Sequence, residues 1–395
     1  MEKTGVAGNA GDGIRSDCRV TITLTDRSGI QTEIQSKVAS MYGDSMHKLV
    51  NEIIRYYDIH DAEVMIEDSG ALPHVIAARL EAAIKQVSNS RKEFLLPFVV
   101  PDLPQSHRER FRMSRLYIPG NNPAMMINAG IHEPDGIILD LEDSVAPEKK
   151  FEARILVRNV LRNINFYGAE RMVRINQLPL GLEDAAVVVP HFTDLLLIPK
   201  CEEVWQIREV EKVIESTLES AGSEREVYLM PIIESALGVE NAFQLATASG
   251  RVAAVAVGLE DLTADLGVSR TAGGKETFYA RSRIVNACKA AGIQPIDSVY
   301  SDVGNPEGLL ENVKESSALG FEGMGCIHPG QIKVIHEGFK PSEAEVERAR
   351  EVKDAFDEAR KKGMAVVALG SKMIDAPVVA RAERTLLLAK KYKMI

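Results

Sequence analysis

Two apolar runs in this chain each end in acidic residues that could hold a divalent cation. The run 229–233 stops at Glu234, and the run 252–259 stops at Glu260 and Asp261. Short apolar runs bounded by turn residues are typical of strands buried on both faces of a parallel sheet. The carboxyl ends of such strands meet at one rim, so we expect Glu234 and Asp261 to lie together. Two carboxylates with water and a substrate oxygen suit Mg²⁺, although each alone could simply cap a helix.

Other charged residues are placed to support chemistry at the same rim. Arg174 lies one residue before the end of the run 172–175. An arginine among carboxylates can grip a substrate carboxylate or thioester oxygen with two hydrogen bonds. We expect Glu142 and Asp143 to orient Arg174 and metal-bound water, with His328 as a weaker candidate for this supporting role. The alternatives are a structural salt bridge from Arg174 to Glu142 or Asp143, and a turn at His328, which a proline follows.

Eight short apolar runs alternate with helical stretches from about residue 113 onward, and they must position these side chains. The runs are 115–118, 136–139, 172–175, 195–198, 227–233, 252–257, 293–296 and 323–327. Eight such units over about 280 residues match the size of a (β/α)8 TIM barrel. A doubly wound open sheet is the alternative, but it usually has fewer strands, and no Gly-x-Gly-x-x-Gly fingerprint follows a strand here. We therefore predict an α/β protein with a TIM barrel.

The chain before the barrel has the pattern of a small α+β domain. Alternation at 19–24 and the run 62–66 predict strands, while an apolar stripe from Met46 to Tyr57 and the segment 74–85 predict helices. Prolines and charged residues then replace periodicity, which predicts a loosely packed linker. The predicted domains are a small N-terminal domain over residues 1–88, a linker over 89–112, and a barrel with a C-terminal extension over 113–395.

Composition and charge exclude several classes of partner. The formal net charge is −10, and Lys and Arg are spread along the chain, which argues against nucleic acid and against an anionic membrane surface. No apolar run approaches the length of a membrane span, and the first residues lack the apolar core of a signal peptide. We therefore expect a cytoplasmic protein. The four cysteines form no Cys-x-x-Cys pair, so we expect them to be reduced, with most of them filling the core.

Six short motifs occur in order between about Met113 and the C-terminus. They are Ser114-Arg-Leu-Tyr-Ile-Pro-Gly120, Asp140-Leu-Glu-Asp-Ser-Val145, Val173-Arg-Ile-Asn176, Ile233-Glu-Ser-Ala-Leu-Gly238, Gly258-Leu-Glu-Asp261 and Ile327-His-Pro329. As an ordered set they resemble the beta subunit of citrate lyase, and they fit the wider group of citryl-, citramalyl- and malyl-thioester lyases equally well. The resemblance implies a Mg²⁺-dependent TIM barrel that breaks or makes a carbon–carbon bond next to an acyl thioester.

Specific roles follow from this resemblance. Glu234 and Asp261 would bind the metal, and Arg174, together with Glu234, would bind the substrate. The sequence Gly-Ser-Lys-Met-Ile-Asp at 370–375 resembles a late segment of the family whose aspartate reaches a neighbouring subunit's site and moves protons. This implies that Asp375 is a catalytic acid and base beside Arg174, and that the protein is a homo-oligomer, with a trimer favoured. From the residues alone, Asp375 is a helix cap before an Ala-Pro pair.

The N-terminal domain carries a second resemblance. Its motifs are Val6-Ala-Gly8, Val38-Ala-Ser-Met-Tyr-Gly-Asp44, Asp68-Ser-Gly-Ala-Leu72 and Ala77-Ala-Arg-Leu-Glu81. They resemble the gamma subunit of citrate lyase, its acyl carrier protein, which attaches a phosphoribosyl-dephospho-CoA arm to a serine before its first strand. Ser16 is the only serine at that place, so the resemblance implies an arm on Ser16. The alternatives are a serine in a turn, or a carrier domain without its arm.

Together these features predict a lyase that splits a 3-hydroxy-3-carboxy (citryl-type) acyl thioester into a 2-oxo acid, oxaloacetate or pyruvate, and an acetyl thioester. We expect the substrate to ride on the chain's own N-terminal domain and an alpha-type acyl transferase subunit to load it. A lyase acting on free citramalyl-CoA or malyl-CoA is the first alternative. A non-catalytic carrier or assembly subunit is the second. The sequence leaves open which acyl group is cleaved, because pocket shape decides it.

Overall fold

The computed structural model describes residues 3–27, 29–100, 102–271, 273–361, 363, 366–369 and 372–395, without the side chain of residue 372. Within this part of the chain, no helix has both the length and the apolar character that crossing a membrane requires. The four cysteines are free and buried, so Cys201, Cys288 and Cys326 fill the core as predicted, and Cys18 is buried as well.

The N-terminal domain is a four-stranded sheet with two helices. In chain order its elements are β1 (Lys3–Gly8), β2 (Cys18–Leu24), β3 (Gly29–Ser36), α1 (Ala39–Tyr56), β4 (Asp61–Asp68) and α2 (Pro73–Val87). The strands lie in the order β1-β2-β4-β3, with β3 parallel to β4 and the other pairs antiparallel. The predicted α+β domain is confirmed. Sequence periodicity missed β1 and β3, because β1 is glycine-rich and β3 alternates only between exposed and half-buried residues.

Eight parallel strands form the barrel. They are β5 (Ser114–Pro119), β6 (Gly136–Asp140), β7 (Glu170–Arg174), β8 (Leu195–Ile198), β9 (Tyr228–Ile233), β10 (Ala254–Val257), β11 (Gln294–Ile296) and β12 (Met324–Cys326). Their order around the sheet is β11-β10-β9-β8-β7-β6-β5-β12, and a parallel bridge between Asp297 and Met324 closes the ring. Each predicted apolar run overlaps one of these strands, so the TIM barrel is confirmed.

Helices follow each strand on the outside of the barrel. They are α3 (Pro123–Met126), α4 (Lys150–Asn163), α5 (Leu180–Val188), α6 (Val204–Ser220), α7 (Ala236–Glu240), α8 (Ala242–Ala246), α9 (Leu259–Asp265), α10 (Lys275–Ala291), α11 (Pro306–Leu319) and α12 (Gly330–Phe339). Short 3-10 turns occupy Ala129–His132 and Pro147–Lys149. Local sequence sets the ends of α11, which begins with Asn305 capping the N–H of Gly308 and stops at Gly320 in the left-handed conformation.

A C-terminal extension follows the barrel. It consists of α13 (Glu343–Lys361), β13 (Val367–Leu369), β14 (Lys372–Ile374) and α14 (Ala376–Lys391). The two helices pack over a small apolar cluster of their own, formed by Ala349, Val352, Ile374, Val379 and Ala382. The far end of α14 returns to the barrel, where Lys391 pairs with Asp135.

The interior of the barrel is filled by apolar side chains from alternate strand positions, as in other TIM barrels. Its core consists of Ile138, Met172, Leu195, Leu197, Met230, Ile232, Ala254, Ala256 and Ile296. A second, larger apolar cluster includes residues of the strands and the surrounding helices and continues into the N-terminal domain. The barrel is therefore a packed body, and polar side chains inside it need a specific explanation.

The segment between the two domains packs against the barrel, so the prediction of loose packing is wrong. The described residues of 88–113 form no helix or strand. However, the guanidinium of Arg162 stacks 3.8 Å from the ring centre of Phe98. Arg112 is fully buried and contacts Glu170 through two hydrogen bonds of 2.7 and 2.8 Å. Arg112, a charged residue of this segment, thus fastens it to the barrel.

Candidate active site

A cavity of about 450 Å³ opens at the carboxyl end of the barrel. Its lining includes Asp140 and Arg174, which end β6 and β7, and Glu234, which directly follows β9. Asp261, the third residue of α9, lines the same cavity. The two carboxylates and the arginine singled out in the sequence therefore share one cavity, at the face where TIM-barrel active sites lie.

Glu234 is a buried carboxylate with few partners. It is 6% exposed, and its Oε2 accepts a hydrogen bond of 3.0 Å from the backbone N–H of Lys200. Gly258 leaves it room, since a Cβ at that position would lie 2.5 Å from Oε1. Burial first, and then the charges of Asp261 and Glu142, raise the pKa of Glu234 to about 8. Both effects disfavour the negative charge of Glu234, and a bound cation would offset them.

Lys200 connects the two candidate metal ligands. It follows β8 with a φ of 46°, in the left-handed region that non-glycine residues rarely occupy outside turns and functional sites. Its N–H donates to Glu234, while its Nζ lies 3.1 Å from Oδ1 of Asp261. The Asp261 side chain is 43% exposed, so this carboxylate stands in contact with solvent. One lysine thus contacts both carboxylates.

Arg174 is held by a carboxylate that the sequence analysis did not select. Asp140 and Arg174 are paired across β6 and β7, and the guanidinium contacts both Asp140 oxygens at 2.6 and 2.8 Å. Burial opposes the charge, but the hydrogen bonds to Asp140 outweigh it and raise the pKa of Arg174. Its Nη1 lies 2.9 Å from Glu142 and 3.5 Å from Asp143. Glu142 and Asp143 therefore do surround Arg174, with Asp140 as the main anchor.

The donor set fits Mg²⁺ held largely by water. Among the described residues, no group of three or more His, Cys, Asp or Glu side chains is arranged to hold a metal ion. Mg²⁺ does not require one, because it keeps several waters and takes one or two carboxylates plus substrate oxygens. Glu234 and Asp261 offer such oxygens at the cavity.

Two residues selected from the sequence lie elsewhere. His328 is exposed after β12, and its Nδ1 accepts a hydrogen bond of 3.1 Å from the N–H of Gly330, which is the turn role. Asp375 caps α14 by accepting from the N–H of Val378 at 3.3 Å. Neither belongs to the described lining of the cavity. Residues 370–371 of the late motif lie outside the described residues. A role for Asp375 in a neighbour's site stays a prediction.

Ser16 stands next to a buried connection between the two domains. It adopts a φ of 57°, and its N–H donates to the carbonyl of Ser69 at 2.9 Å. The following residue, Asp17, is buried and makes two hydrogen bonds of 2.9 Å with Arg79 of α2. Arg79 also donates to Asn121 at 2.7 Å, just after β5. Arg79 thus links Asp17, the residue after Ser16, to Asn121 at the carboxyl end of the barrel.

Buried ion pairs dock the N-terminal domain on α4. Arg79 is fully buried and lies 3.3 Å from Glu152, which also accepts a hydrogen bond of 3.0 Å from the N–H of Gly8. Arg158 and Glu81 are both fully buried and share hydrogen bonds of 2.9 and 2.8 Å. Breaking such a pair would leave an unpaired charge inside the protein, so the contact is specific to this docked arrangement.

Tyr117 is a further site residue that sequence reasoning missed. It lies in the cavity lining, and the Arg174 guanidinium is 5.3 Å from the centre of its ring. No local signal distinguishes a tyrosine in an apolar run, because its place depends on closure of the barrel. Asp140 was recognisable in principle, since it directly follows the apolar run 136–139 as Glu234 follows the run 229–233.

Comparisons with known proteins assign both domains. A family model described as HpcH/HpaI aldolase/citrate lyase matches residues 113–329. A carrier-protein family model described as malonate decarboxylase delta subunit matches residues 2–87. The resemblance of the barrel to citrate lyase beta is confirmed. The carrier-like character of the N-terminal domain is confirmed too, although the matching family is the delta subunit of malonate decarboxylase.

Individual relatives agree with the barrel assignment. Citrate lyase subunit beta of Leuconostoc mesenteroides subsp. cremoris is 37% identical over 292 residues, covering 73% of this chain and 97% of that protein. Human mitochondrial citramalyl-CoA lyase is 32% identical over 299 residues, covering 73% of this chain and 88% of that protein. The crystal structure of the protein CitE from Mycobacterium tuberculosis with magnesium, acetoacetate and coenzyme A superposes with a TM-score of 0.58 at 29% identity, covering 72% of this chain and 100% of that chain. The chain therefore belongs to the HpcH/HpaI aldolase/citrate lyase family and is a lyase.

Proposed function

We propose that this lyase cleaves a citryl-type 3-hydroxy-3-carboxy acyl thioester, with Mg²⁺ bound by Glu234 and Asp261. The observation that carries the proposal is one cavity containing a buried carboxylate of raised pKa, a second carboxylate and an anchored arginine. The names of the relatives support the reaction class, since they include a citrate lyase subunit and a citramalyl-CoA lyase. CitE, crystallised with magnesium and acetoacetate, supports the choice of metal.

In this reaction the substrate hydroxyl loses its proton and the bond between the hydroxyl carbon and the thioester α-carbon breaks. The electron pair passes to the thioester as an enolate, which takes up a proton to give an acetyl thioester, while the hydroxyl carbon becomes the carbonyl of a 2-oxo acid. Bound Mg²⁺ would supply Lewis-acid polarisation of the hydroxyl and its adjacent carboxylate. Arg174, held by Asp140, would stabilise negative charge on the substrate through its remaining N–H groups.

Proton transfer is assigned to Asp375 of a second copy of the chain. Asp375 does not line the cavity of its own chain, so it could act only at the active site of a neighbouring copy. The C-terminal extension is suited to such a contact, because its apolar cluster is small and Met373 beside it is 65% exposed. The proposal therefore requires a homo-oligomer, and a trimer is the form we favour. Glu142 and Asp143 would hold Arg174 and water in place.

The N-terminal domain is proposed to carry the substrate. Attachment of a phosphoribosyl-dephospho-CoA-type arm to Ser16 would place the tethered thioester near the barrel, because Asp17 connects through Arg79 to the end of β5. The match to a carrier family supports this role. An alpha-type acyl transferase is the partner that such a carrier needs, since an acyl group must be loaded before each cleavage.

The reaction is tested by assaying the purified full chain with citryl, citramalyl and malyl thioesters, with and without Mg²⁺. We expect Mg²⁺-dependent release of a 2-oxo acid from the citryl thioester, and its loss in Glu234→Gln. Glu209→Gln, a partly exposed residue of α6 outside the cavity, serves as the control. Full Mg²⁺-dependent activity in Glu234→Gln would refute the metal assignment.

The carrier role is tested by the intact mass of protein produced in its native host. We expect a large adduct that disappears in Ser16→Ala and persists in Ser69→Ala, its neighbour across the turn. Unmodified protein that cleaves free CoA thioesters would instead identify a citramalyl-CoA or malyl-CoA lyase. Unmodified protein without any lyase activity would identify an assembly subunit.

A further inference from the structure

One buried arginine inside the barrel has no carboxylate partner in the part of the chain that the structure describes. Arg115, the second residue of β5, is 1% exposed. Its Nη1 donates only to the sulfur of Met230, at 3.0 Å, and its Nε has no partner among the described residues. A thioether is a weak acceptor, so this cation is poorly compensated. Burial lowers the pKa of Arg115 to about 10, which leaves it charged at neutral pH.

Other buried arginines in the described chain have carboxylate or carbonyl oxygens as acceptors. Arg79 pairs with Asp17, Arg112 with Glu170 and Arg158 with Glu81. Arg171 donates to two backbone carbonyls. The chain thus has the means to satisfy a buried guanidinium and does not do so at Arg115. Because an unpaired buried charge destabilises a fold, its presence points to a ligand.

Arg115 lies at the bottom of the candidate active-site cavity. Arg115 and Tyr117 are two residues apart on one strand, so they face the same side, and both line the cavity. Across the barrel, Met230, Ile232 and Glu234 alternate in the same way along and just beyond β9. Arg115 contacts Met230, which of these three lies deepest in the barrel, whereas Glu234 lies nearest the carboxyl rim. A ligand held at Glu234 that extends into the barrel therefore approaches Arg115.

We propose that Arg115 binds a second carboxylate on the 2-oxo-acid half of the substrate, and so selects substrates that yield a dicarboxylic 2-oxo acid over those that yield pyruvate. This inference rests on the proposed function. A guanidinium offers two parallel N–H groups to a carboxylate, and the apolar surroundings strengthen that contact. A methyl group at the same place would leave the cation uncompensated, so the site rejects the monocarboxylic product.

The test is calorimetric titration of the full chain in saturating Mg²⁺ with oxaloacetate and with pyruvate. We expect the wild type to bind oxaloacetate roughly 10- to 100-fold more tightly than pyruvate. Arg115→Met should remove this preference by weakening oxaloacetate binding, with pyruvate affinity unchanged within about twofold. Arg208→Met, an exposed arginine on α6 outside the cavity, should keep the wild-type ratio.

Each outcome has a distinct meaning. Mg²⁺-dependent pyruvate binding with no preference for oxaloacetate, or a preference that persists in Arg115→Met, overturns this inference alone. Absence of Mg²⁺-dependent binding of both acids overturns the proposed function and this inference with it.

A ligand-free melting comparison checks the variant independently. Arg115→Met should melt at or above the wild-type temperature, because it removes an uncompensated charge, and a fall of more than about 5 °C would show a structural role and overturn the inference.

Discussion

Glu234 keeps its carboxylate in surroundings that oppose its charge. Its pKa of about 8 in the folded protein lies above its ordinary value of 4.5. The stability that the protonated form contributes is therefore complete below about pH 4.5 and is lost as the pH rises through about 8. Without a cation, the protein should lose on the order of a few kcal/mol of unfolding free energy across this window. A bound divalent cation would remove this penalty.

The first prediction concerns Glu234→Gln. The amide has no charge to desolvate, so the metal-free variant should melt above the wild type at pH 8, and the difference should shrink toward pH 5. Mg²⁺ should raise the melting temperature of the wild type and leave the variant unchanged. Thermal unfolding at the two pH values, with and without Mg²⁺, measures both effects. Equal Mg²⁺ stabilisation of the two proteins would contradict the ligand assignment.

The second prediction concerns the space beside this carboxylate. A methyl group on Gly258 would meet Oε1 of Glu234 at 2.5 Å, so Gly258→Ala should displace the carboxylate and weaken Mg²⁺ affinity by about tenfold or more. Gly250→Ala is the matched control, because nothing lies within 4 Å of a Cβ there. Calorimetric Mg²⁺ titration compares the three proteins. Wild-type affinity in Gly258→Ala would show that Glu234 is not a ligand.

At the scale of elements, the carboxyl ends of the strands determine which side chains meet in the candidate active site. The placement of Glu234 and Asp261 was predictable, because each follows an apolar run and the ends of parallel strands share a rim. The contact of Asp140 with Arg174 was not, because it depends on the register of β6 and β7. The role of Arg115 could not be predicted from its place in an apolar run, because only the closed barrel shows that its side chain faces the cavity.

The third prediction concerns the docking of α2 on α4. Arg79→Met would leave Asp17 and Glu152 buried without their shared partner, which should lower the unfolding free energy by about 3–5 kcal/mol. Arg27→Met is the control, because its pair with Glu63 is exposed and should contribute less than about 1 kcal/mol. Denaturant unfolding measures the loss, and hydrogen exchange should show faster opening in α2. Equal effects of the two substitutions would mean that the ion pairs do not hold the domains together.

At the scale of the whole molecule, the N-terminal domain is fixed on the barrel by buried ion pairs and by the packed segment that follows it. An arm on Ser16 would therefore move while its anchor stays in place. The C-terminal extension is joined to the barrel at its far end, where Lys391 pairs with Asp135. It packs around its own small cluster and carries Asp375 away from the chain's own cavity, which suits a contact with a second copy.

The fourth prediction follows from a site shared between copies. Asp375→Asn and Glu234→Gln should each be inactive, because each removes one half of every site. Assembled together in equal amounts, they should recover roughly a quarter of wild-type activity, since that fraction of sites pairs an intact cavity with an intact Asp375. Lyase assays before and after joint refolding measure the recovery. Absence of recovery in oligomers shown to be mixed would contradict a shared site.

The most direct measurement is the anomalous diffraction of crystals soaked in Mn²⁺, which can replace Mg²⁺ at oxygen sites. We expect one metal peak in the cavity at the carboxyl end of the barrel, about 2 Å from oxygens of both Glu234 and Asp261, with Lys200 released from Asp261. A peak elsewhere, or a metal that touches neither carboxylate, would contradict the assignment on which the proposed chemistry depends.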